Sequence, residues 1–305
     1  MCSTSSASRT ITRRWTVAQA DSQRFGARLE EAVDQFGPLC AGIDPHEALL
    51  DAWGLSVDAE GLGEFADRCV EAYAGRVALV KPQAAFFERF GAAGVAVLER
   101  TLDALREADT LTLLDVKRGD IGSTMAAYAS AHLGPQAPTH ADAITVSPFL
   151  GFGSLDPALD LAEASGDGVF VLALTSNPEG GQVQHARGDD GRTVAESIIA
   201  AVTERNAGEG RFGDTGLVVG ATTGKDIADL GLAEALAASR APLLAPGLGA
   251  QGATADGIAR AFGPAAGLVL PTSSRAILAA GPDLSALRDA VTRTAGEVAA
   301  ALPQP

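Results

Sequence analysis

An aspartate and a lysine two residues apart, Asp115 and Lys117, follow the apolar run 111–114. Alternate residues of a strand point to the same face, so a strand here would place both charges together. Such charges are unfavourable in a buried position unless they are paired or take part in chemistry. An isolated D-x-K is equally consistent with a structural ion pair, but the full pattern D-x-K-x-x-D-I-x-x-T is more specific and favours chemistry. The last three defined positions are Asp120, Ile121 and Thr124.

A third charge, Lys81, ends the apolar run 77–80. A lone lysine at a strand end usually extends its ammonium group to solvent. Beside Asp115 and Lys117 on the next strand, however, it would complete a row of alternating charge. Such a row is nearly neutral and can be buried, and it holds each ammonium as a fixed cation beside an anionic centre. No Ser/His/Asp arrangement, nucleophilic cysteine or nucleotide P-loop accompanies it.

A glycine-rich segment at 246–252 and the later Arg275 predict an anion site. Glycines let backbone N–H groups approach an anion, and an arginine binds phosphate through two parallel hydrogen bonds. A glycine-rich turn alone is more often only a turn, but the pairing with Arg275 favours phosphate. The candidate side chains near this site are Gln251, Ser274 and Arg275.

These polar residues follow short apolar stretches that alternate with helical patterns. Strands are predicted at 39–43, 77–80, 141–146, 168–174, 216–219, 242–245 and 267–270, with a further strand leading into Asp115. Helices are predicted at 25–36, 62–73, 90–108, 121–133, 155–164, 194–206, 227–237, 253–261 and 284–302. Eight nearly all-apolar strands predict an α/β fold, a single-domain (β/α)8 TIM barrel over residues 23–305. An open doubly wound sheet is the competing architecture.

Composition limits the functional classes. The 305 residues carry a net charge of −15, which argues against nucleic acid as a partner because there is no surplus of cations to neutralise phosphates. The three cysteines form no disulfide or metal pattern, and the four histidines lack the spacing of zinc ligands. No apolar run approaches the roughly 18 residues of a membrane helix. We therefore expect a cytoplasmic protein without membrane association and without a bound metal.

Residues 1–22 differ from the rest of the chain. The segment is rich in Ser and Thr, carries three arginines and has no apolar stretch of the kind found in secretory signals. We interpret it as a flexible N-terminal tail that precedes the barrel.

Six motifs together resemble the orotidine 5′-monophosphate decarboxylase family, in particular its longer bacterial subgroup (type 2). They are G-I-D-P at 42–45, V-K-P at 80–82, D-V-K-R-G-D-I-G-S-T at 115–124, T-S-N-P at 175–178, P-G-L-G-A-Q-G at 246–252 and S-R at 274–275. The third motif is the family signature, and the others match its order and spacing from about residue 25 to the last helix. The family implies a homodimeric barrel without cofactor or metal that converts orotidine 5′-monophosphate to UMP and CO2 in pyrimidine biosynthesis.

The resemblance also implies a role for each matching residue. Lys81, Asp115 and Lys117 match the charged row, and Asp120, with Ile121 and Thr124 beside it, matches the aspartate that enters the partner subunit's site. The substrate contacts would be Asp44 at the ribose, Ser176 near the pyrimidine, and Gln251, Ser274 and Arg275 around the phosphate. Ser274 departs from the glycine common in shorter members. The polar loop 179–192 has its own sequence, and we expect it to close over the ligand.

The implied chemistry fits these residue types. Loss of CO2 from C6 of the pyrimidine leaves a vinylic carbanion, and preorganised charge must stabilise it where no cofactor acts as an electron sink. Lys117 would stabilise the carbanion and then protonate C6. Asp115 and Asp120 would hold the lysines and crowd the departing carboxylate.

Two other functions are compatible with parts of the pattern. A metal-dependent phosphosugar aldolase or decarboxylase on a similar barrel can share D-x-K-x-x-D, but it would hold Mg²⁺ through carboxylates. The neighbouring Lys81 favours the reaction without metal. A noncatalytic phosphate-binding barrel would keep Gln251 and Arg275 but would have no reason to keep Lys117.

Overall fold

The computed structural model describes residues 24–208 and 210–302, and eight parallel strands in it close into a barrel in chain order. The strands are β1 Cys40–Ile43, β2 Leu79–Pro82, β3 Leu111–Arg118, β4 Ala143–Val146, β5 Gly168–Leu174, β6 Thr215–Val219, β7 Leu243–Pro246 and β8 Val269–Ser273. Closure occurs where Cys40 pairs with Thr272 and Ala41 with Ser273. The predicted (β/α)8 fold is therefore confirmed, and the open sheet is excluded.

Helices cover the outside of the barrel. They are α1 Phe25–Phe36, α2 Glu47–Ala52, α3 Ala59–Tyr73, α4 Ala84–Glu88, α5 Gly91–Glu107, α6 Gly122–His132, α7 Asp156–Ser165, α8 Gly181–Gln184, α9 Val194–Arg205, α10 Gly224–Asp229, α11 Ala233–Ala238, α12 Ala255–Phe262, α13 Arg275–Leu278 and α14 Leu284–Ala301. Their apolar faces pack on the outer side chains of the strands and form the larger of two core clusters. Among the described residues, no helix combines the length and apolar character needed to cross a membrane.

The second core cluster fills the barrel interior, and α1 closes its amino-terminal end. Phe25 packs edge-on against Phe170 of β5, with ring centroids 5.9 Å apart. Gly168 is required here, since a Cβ on it would lie 2.5 Å from the Phe25 ring. The ion pair between Arg28 and Asp142 anchors the same helix to β4. With this end filled, only the carboxyl-terminal mouth of the barrel remains open for a ligand.

Several predicted boundaries were wrong for identifiable reasons. The helix predicted from residue 62 begins at Ala59, because Asp58 caps it by accepting hydrogen bonds from the backbone N–H groups of residues 60 and 61. The helix predicted at 227–237 is two helices, α10 and α11, interrupted at Gly231, whose φ is +67°. The last strand extends to Ser273 rather than 270.

Short helices were missed altogether. Four of them, α2, α4, α8 and α13, have four to six residues each and follow a strand or lie in a loop. They are too short for a repeat of apolar spacing to be visible in the sequence. The flexible tail predicted at 1–22 lies outside the described residues.

Candidate active site

The carboxyl end of β3 departs from regular strand geometry at the charged motif. Leu114 pairs with Ile144 and Arg118 pairs with Val146, so three residues of β3 stand opposite one residue of β4. Lys117 adopts a left-handed backbone conformation, with φ of +46°. This conformation is strained by roughly 1 kcal/mol or more for a residue with a side chain. The strand end is therefore held in place by its surroundings rather than by intrinsic preference.

Gly119 allows the chain to leave β3 close to β4. Its φ is not positive, but a Cβ on this residue would lie 2.4 Å from the carbonyl oxygen of Ser147. The backbone N–H of Ser147 donates to the carbonyl of Arg118 at 2.8 Å. Glycine is thus needed for close approach of two backbones. The contact fixes the direction in which the chain runs on to Asp120.

The carboxylate of Asp115 is the centre of the site and accepts four hydrogen bonds. Its Oδ2 accepts from Lys81 Nζ at 2.9 Å and from Gln83 Nε2 at 3.1 Å. Its Oδ1 accepts from Lys117 Nζ at 2.5 Å and from Thr145 Oγ1 at 2.8 Å. The predicted row of Lys81, Asp115 and Lys117 is therefore assembled, with donors from β2, β3 and β4.

Burial distinguishes the two lysines of the row. The side chains of Lys81 and Asp115 are each 5 % exposed, whereas that of Lys117 is 43 % exposed. Burial by itself would favour the neutral form of Lys81, but Asp115 and then Asp44 outweigh it and raise the lysine's pKa. Burial likewise opposes the charge of Asp115, but Lys81 and Lys117 outweigh it and lower the carboxyl pKa. Lys81 and Asp115 are therefore both charged at neutral pH. Lys117 is the member of the row that reaches the mouth.

The predicted anion site occupies the ends of β7 and β8. Gly247, with φ of +130°, turns the chain after β7, and Gln251 lies beside it. The hydroxyl of Ser176 donates to Gln251 Oε1 at 3.5 Å. Arg275 is exposed, and its guanidinium forms no ion pair with any residue of the described chain. A cationic group and glycine-rich backbone thus lie together at the mouth, as phosphate binding requires.

A cavity of about 330 Å³ joins the charged row to this anion site. Among its lining residues are eight of the predicted site residues: Asp44, Lys81, Asp115, Lys117, Ser176, Gln251, Ser274 and Arg275. Gly42 in β1 must lack a side chain, because a Cβ there would lie 1.8 Å from Ser274 Oγ. One carboxylate oxygen of Asp44, Oδ1, is buried without a hydrogen-bond partner in the described chain. The cavity has the size of a small-molecule site.

The remaining predicted residues, Asp120, Ile121 and Thr124, do not line the cavity of their own chain. Asp120 Oδ1 accepts a hydrogen bond from the backbone N–H of Ile121 at 2.8 Å. The Ile121 side chain is 63 % exposed, which is unusual for a large apolar residue. These three residues therefore face outward at the start of α6.

Sequence reasoning missed several lining residues. Gln83 lies two positions after Lys81, the spacing that could have revealed it, since alternate strand residues share a face. Leu172 and Val218 supply apolar surface from β5 and β6, and nothing in their sequence marks them as different from core residues. Thr145, which contacts both Asp115 and Lys117, was also missed because it lies within an apolar strand.

The loop 179–192 is partly ordered against the cavity rim. Gln184 accepts from the backbone N–H of Thr175 at 2.9 Å and donates to the Thr175 hydroxyl at 2.7 Å. Thr175 itself lines the cavity. The isolated bridge between Arg187 and Thr193 closes the far end of the loop. The loop is thus attached at one edge of the mouth.

Metal ligands are not grouped in the described part of the chain. Within residues 24–208 and 210–302, no three His, Cys, Asp or Glu side chains lie close enough to hold a metal ion. The carboxylate of Asp115 is already occupied by two ammonium groups, an amide and a hydroxyl. The donor set around it suits fixed positive charge rather than cation binding.

The chain forms a closed (β/α)8 barrel, and its charged side chains line one cavity at the carboxyl ends of the strands. These two features are typical of a (β/α)8-barrel enzyme that acts on a small molecule. A profile of the Orotidine 5′-phosphate decarboxylase / HUMPS family matches residues 37–290. The chain belongs to this family.

Individual relatives give the same result. The chain is 59 % identical over 280 residues to an orotidine 5′-phosphate decarboxylase of Salinispora tropica, covering 92 % of this chain and 99 % of the relative. It is 56 % identical over 280 residues to the corresponding protein of Streptomyces coelicolor, covering 91 % and 98 %. A crystal structure from Streptomyces avermitilis, described as a candidate orotidine 5′-phosphate decarboxylase, superposes with a TM-score of 0.88 at 53 % identity, covering 94 % and 99 %.

Proposed function

We propose that the protein converts orotidine 5′-monophosphate to UMP and CO2, a carboxy-lyase reaction of pyrimidine biosynthesis. The observation that carries this proposal is the row of Lys81, Asp115 and Lys117 in the same cavity as the exposed Arg275. The cavity then offers positive charge to both ends of the substrate. The phosphate would bind at the ends of β7 and β8, and the pyrimidine would bind at the ends of β2 and β3. The names of the similar proteins from Salinispora and Streptomyces support the same activity.

Lys117 is assigned to the chemical step. Loss of CO2 places a carbanion at C6, and a nearby ammonium stabilises that charge more than it stabilises the neutral ring. Lys117 is the more exposed lysine of the row, so it can reach a ligand, whereas Lys81 is enclosed. The Lys117 ammonium then donates a proton to C6 and completes UMP.

Asp115 and Lys81 are assigned to orienting Lys117 and to setting the local charge. The Asp115 carboxylate accepts four hydrogen bonds and therefore has little freedom to rotate. It thus fixes the position of the Lys117 ammonium group with which it is paired. The same carboxylate lies on the side of the cavity where the substrate's carboxylate would depart. Repulsion between the two anions would then favour release of CO2.

The remaining pocket residues are assigned to substrate binding. The unpaired Oδ1 of Asp44 is suited to accept a hydrogen bond from a ribose hydroxyl. All of these residues line the cavity, and we assign Ser176 to the pyrimidine and Gln251, Ser274 and Arg275 to the phosphate. Contacts made far from C6 supply binding energy for closure of loop 179–192 and for positioning.

A homodimer with a shared active site completes the proposal. Four large apolar residues are exposed: Ile121 directly before α6, Tyr128 on α6, and Phe149 and Leu150 after β4. Phe149 is 75 % exposed. A second copy of this chain would cover them, since a monomer leaves such residues in water at a cost in hydrophobic free energy. The outward-facing Asp120 would then enter the partner's cavity beside Lys117, with Ile121 and Thr124 next to it.

We also propose that the protein acts in the cytoplasm, as a barrel spanning residues 23–305 preceded by a tail at 1–22. Cys40 and Cys69 are free thiols buried in the barrel and in α3, which is compatible with a reducing compartment. No cofactor or metal takes part in the proposed reaction.

The activity is tested by following the loss of orotidine 5′-monophosphate absorbance with purified protein, with UMP identified as the product. Activity that persists in excess EDTA is expected, because the row of side chains supplies the positive charge. Absence of UMP formation would contradict the proposed function. Abolition by EDTA with restoration by Mg²⁺ would contradict the proposed reaction without metal. A Lys117→Ala preparation controls for contamination by the expression host's own enzyme.

A further inference from the structure

The irregular end of β3 depends on a single residue of β4. Between the pairs Leu114–Ile144 and Arg118–Val146, the facing segment of β4 contains only Thr145. Ladder hydrogen bonds cannot be evenly spaced where three residues oppose one, so backbone groups of β3 need another partner. The side chain of Thr145 provides it.

The hydroxyl of Thr145 contacts both charged residues of β3. Its Oγ1 accepts a hydrogen bond from the backbone N–H of Lys117 at 2.9 Å and donates to Asp115 Oδ1 at 2.8 Å. A hydroxyl carries one proton, and since the Lys117 N–H occupies a lone pair, that proton is free to point at the carboxylate. One side chain thus holds the left-handed Lys117 backbone and the carboxylate that orients the Lys117 ammonium.

Solvent cannot replace the hydroxyl of Thr145, because the residue is 0 % exposed. Removal of the hydroxyl would leave the backbone N–H of Lys117 without its acceptor and remove one of the four donors to Asp115. Both losses act on the position of the Lys117 ammonium rather than on the phosphate end of the cavity.

We propose that Thr145 is a positioning residue for the proposed decarboxylation, acting through the Lys117 backbone and the Asp115 carboxylate. The proposal rests on the proposed function and adds a residue that does not line the cavity. It requires a hydroxyl at this position, not merely a side chain of this volume. A packing role alone would be met equally well by valine, which has the same shape as threonine.

The test compares Thr145→Val with Thr145→Ser. The valine variant should lose kcat by about 10- to 100-fold, the effect of a lost charge-assisted hydrogen bond. The UMP dissociation constant should change by less than about twofold, since the contacts at the phosphate end are independent of this site. The serine variant keeps the hydroxyl and should retain kcat within about threefold. Thr112→Val is a matched control, because Thr112 is a buried residue of β3 whose hydroxyl donates to Asp142 at 2.9 Å.

The outcomes separate the alternatives. Unchanged kcat in Thr145→Val, an equal loss in Thr145→Ser, or an equal loss in Thr112→Val would overturn the inference. If Thr145→Val does not fold, kcat is compared between Thr145→Ser and Thr145→Ala. These two side chains are smaller than threonine and differ from each other by the hydroxyl, so the comparison tests the same requirement. The wild-type protein is assayed alongside: an inactive wild type refutes the proposed function, whereas an active wild type with an unaffected valine variant refutes the role of Thr145 alone.

Discussion

Lys117 Nζ lies 2.5 Å from Asp115 Oδ1, although Lys117 has left the extended conformation that would simply align the two side chains. The contact combines a buried carboxylate with a lysine that is 43 % exposed. The buried carboxylate thereby holds the ammonium group at the cavity, while the lysine side chain stays partly exposed. This is the arrangement needed to place fixed positive charge against a ligand that enters from solvent.

Replacement of Lys117 by alanine should abolish turnover while leaving product binding largely intact. We expect kcat to fall by at least on the order of 10³, because the variant lacks the cation aimed at the developing charge. UMP affinity should change far less, since the proposed phosphate contacts lie at the ends of β7 and β8. The measurements are steady-state kinetics and titration calorimetry with UMP. Lys225→Ala, an exposed lysine of α10 paired with Asp229, is the control.

Arg275 should contribute to affinity more than to chemistry. Arg275→Ala should weaken binding of both substrate and UMP by about 10- to 100-fold, the range expected for lost charge-assisted hydrogen bonds to phosphate. UMP titration measures this directly, with Arg260→Ala on the neighbouring helix α12 as a charge-matched control. An unchanged UMP dissociation constant would show that the phosphate binds elsewhere.

Asp120 should act in the site of the partner subunit. Lys117→Ala and Asp120→Ala should each be nearly inactive alone. When the two are mixed and allowed to exchange subunits, a heterodimer contains one site with both residues intact and one site with both defects. Random mixing should therefore restore about a quarter of wild-type activity.

Subunit exchange must be verified independently in this experiment, for example by mass spectrometry of differently tagged chains. If exchange occurs, both single variants are inactive and the mixture stays inactive, Asp120 acts within its own chain and the shared site is wrong. A mixture of Lys117→Ala with Asp115→Asn is a useful second control. Each chain of that heterodimer carries a defect in its own row, so neither site is intact and this mixture should stay inactive.

The loop 179–192 should become protected when nucleotide binds. Arg187 and Arg192 have largely exposed side chains and provide trypsin sites within the loop. Saturating UMP should slow cleavage there, because closure removes the loop from the protease. Cleavage at Arg293 on α14 serves as the internal reference. Equal loop cleavage with and without nucleotide would argue against closure.

Stability should decrease between neutral and mildly acidic pH because of His132. Burial, with Arg118 nearby, lowers the pKa of His132 from 6.5 to about 4. Between these values the unfolded chain binds a proton that the folded chain does not, so the free energy of unfolding falls as the pH drops. The lowered pKa of Asp115 affects the free energy of unfolding only below pH 3.8, which is outside this window. Urea unfolding at pH 7 and pH 4.5 measures the effect, and an equal pH dependence in His132→Gln would contradict it.

Much of this protein can be predicted from local patterns. The helix at Phe25–Phe36 and the strand at Gly168–Leu174 were predicted residue for residue, because spacing of apolar side chains and breaking residues such as Gly37 are local signals. Eight nearly all-apolar strands that alternate with helices predicted the barrel, and the polar residues after most of these strands indicated one common mouth. The motif around Asp115 and Lys117 was the basis for predicting the chemistry that we propose.

Other features depended on contacts between residues distant in the chain. Strand periodicity predicted that Asp115 and Lys117 share a face, but only the pairing of β3 with β4 revealed the irregular register and the left-handed Lys117. Thr145 has no local signature, and the spacing of Gln83 from Lys81 is only a weak one, because the importance of both residues arises from the carboxylate that they contact after the barrel closes. The sequence alone identified the candidate residues for the proposed chemistry. The tertiary structure decided how they are held, because hydrogen bonds across strands are set by the closed barrel and not by neighbours along the chain.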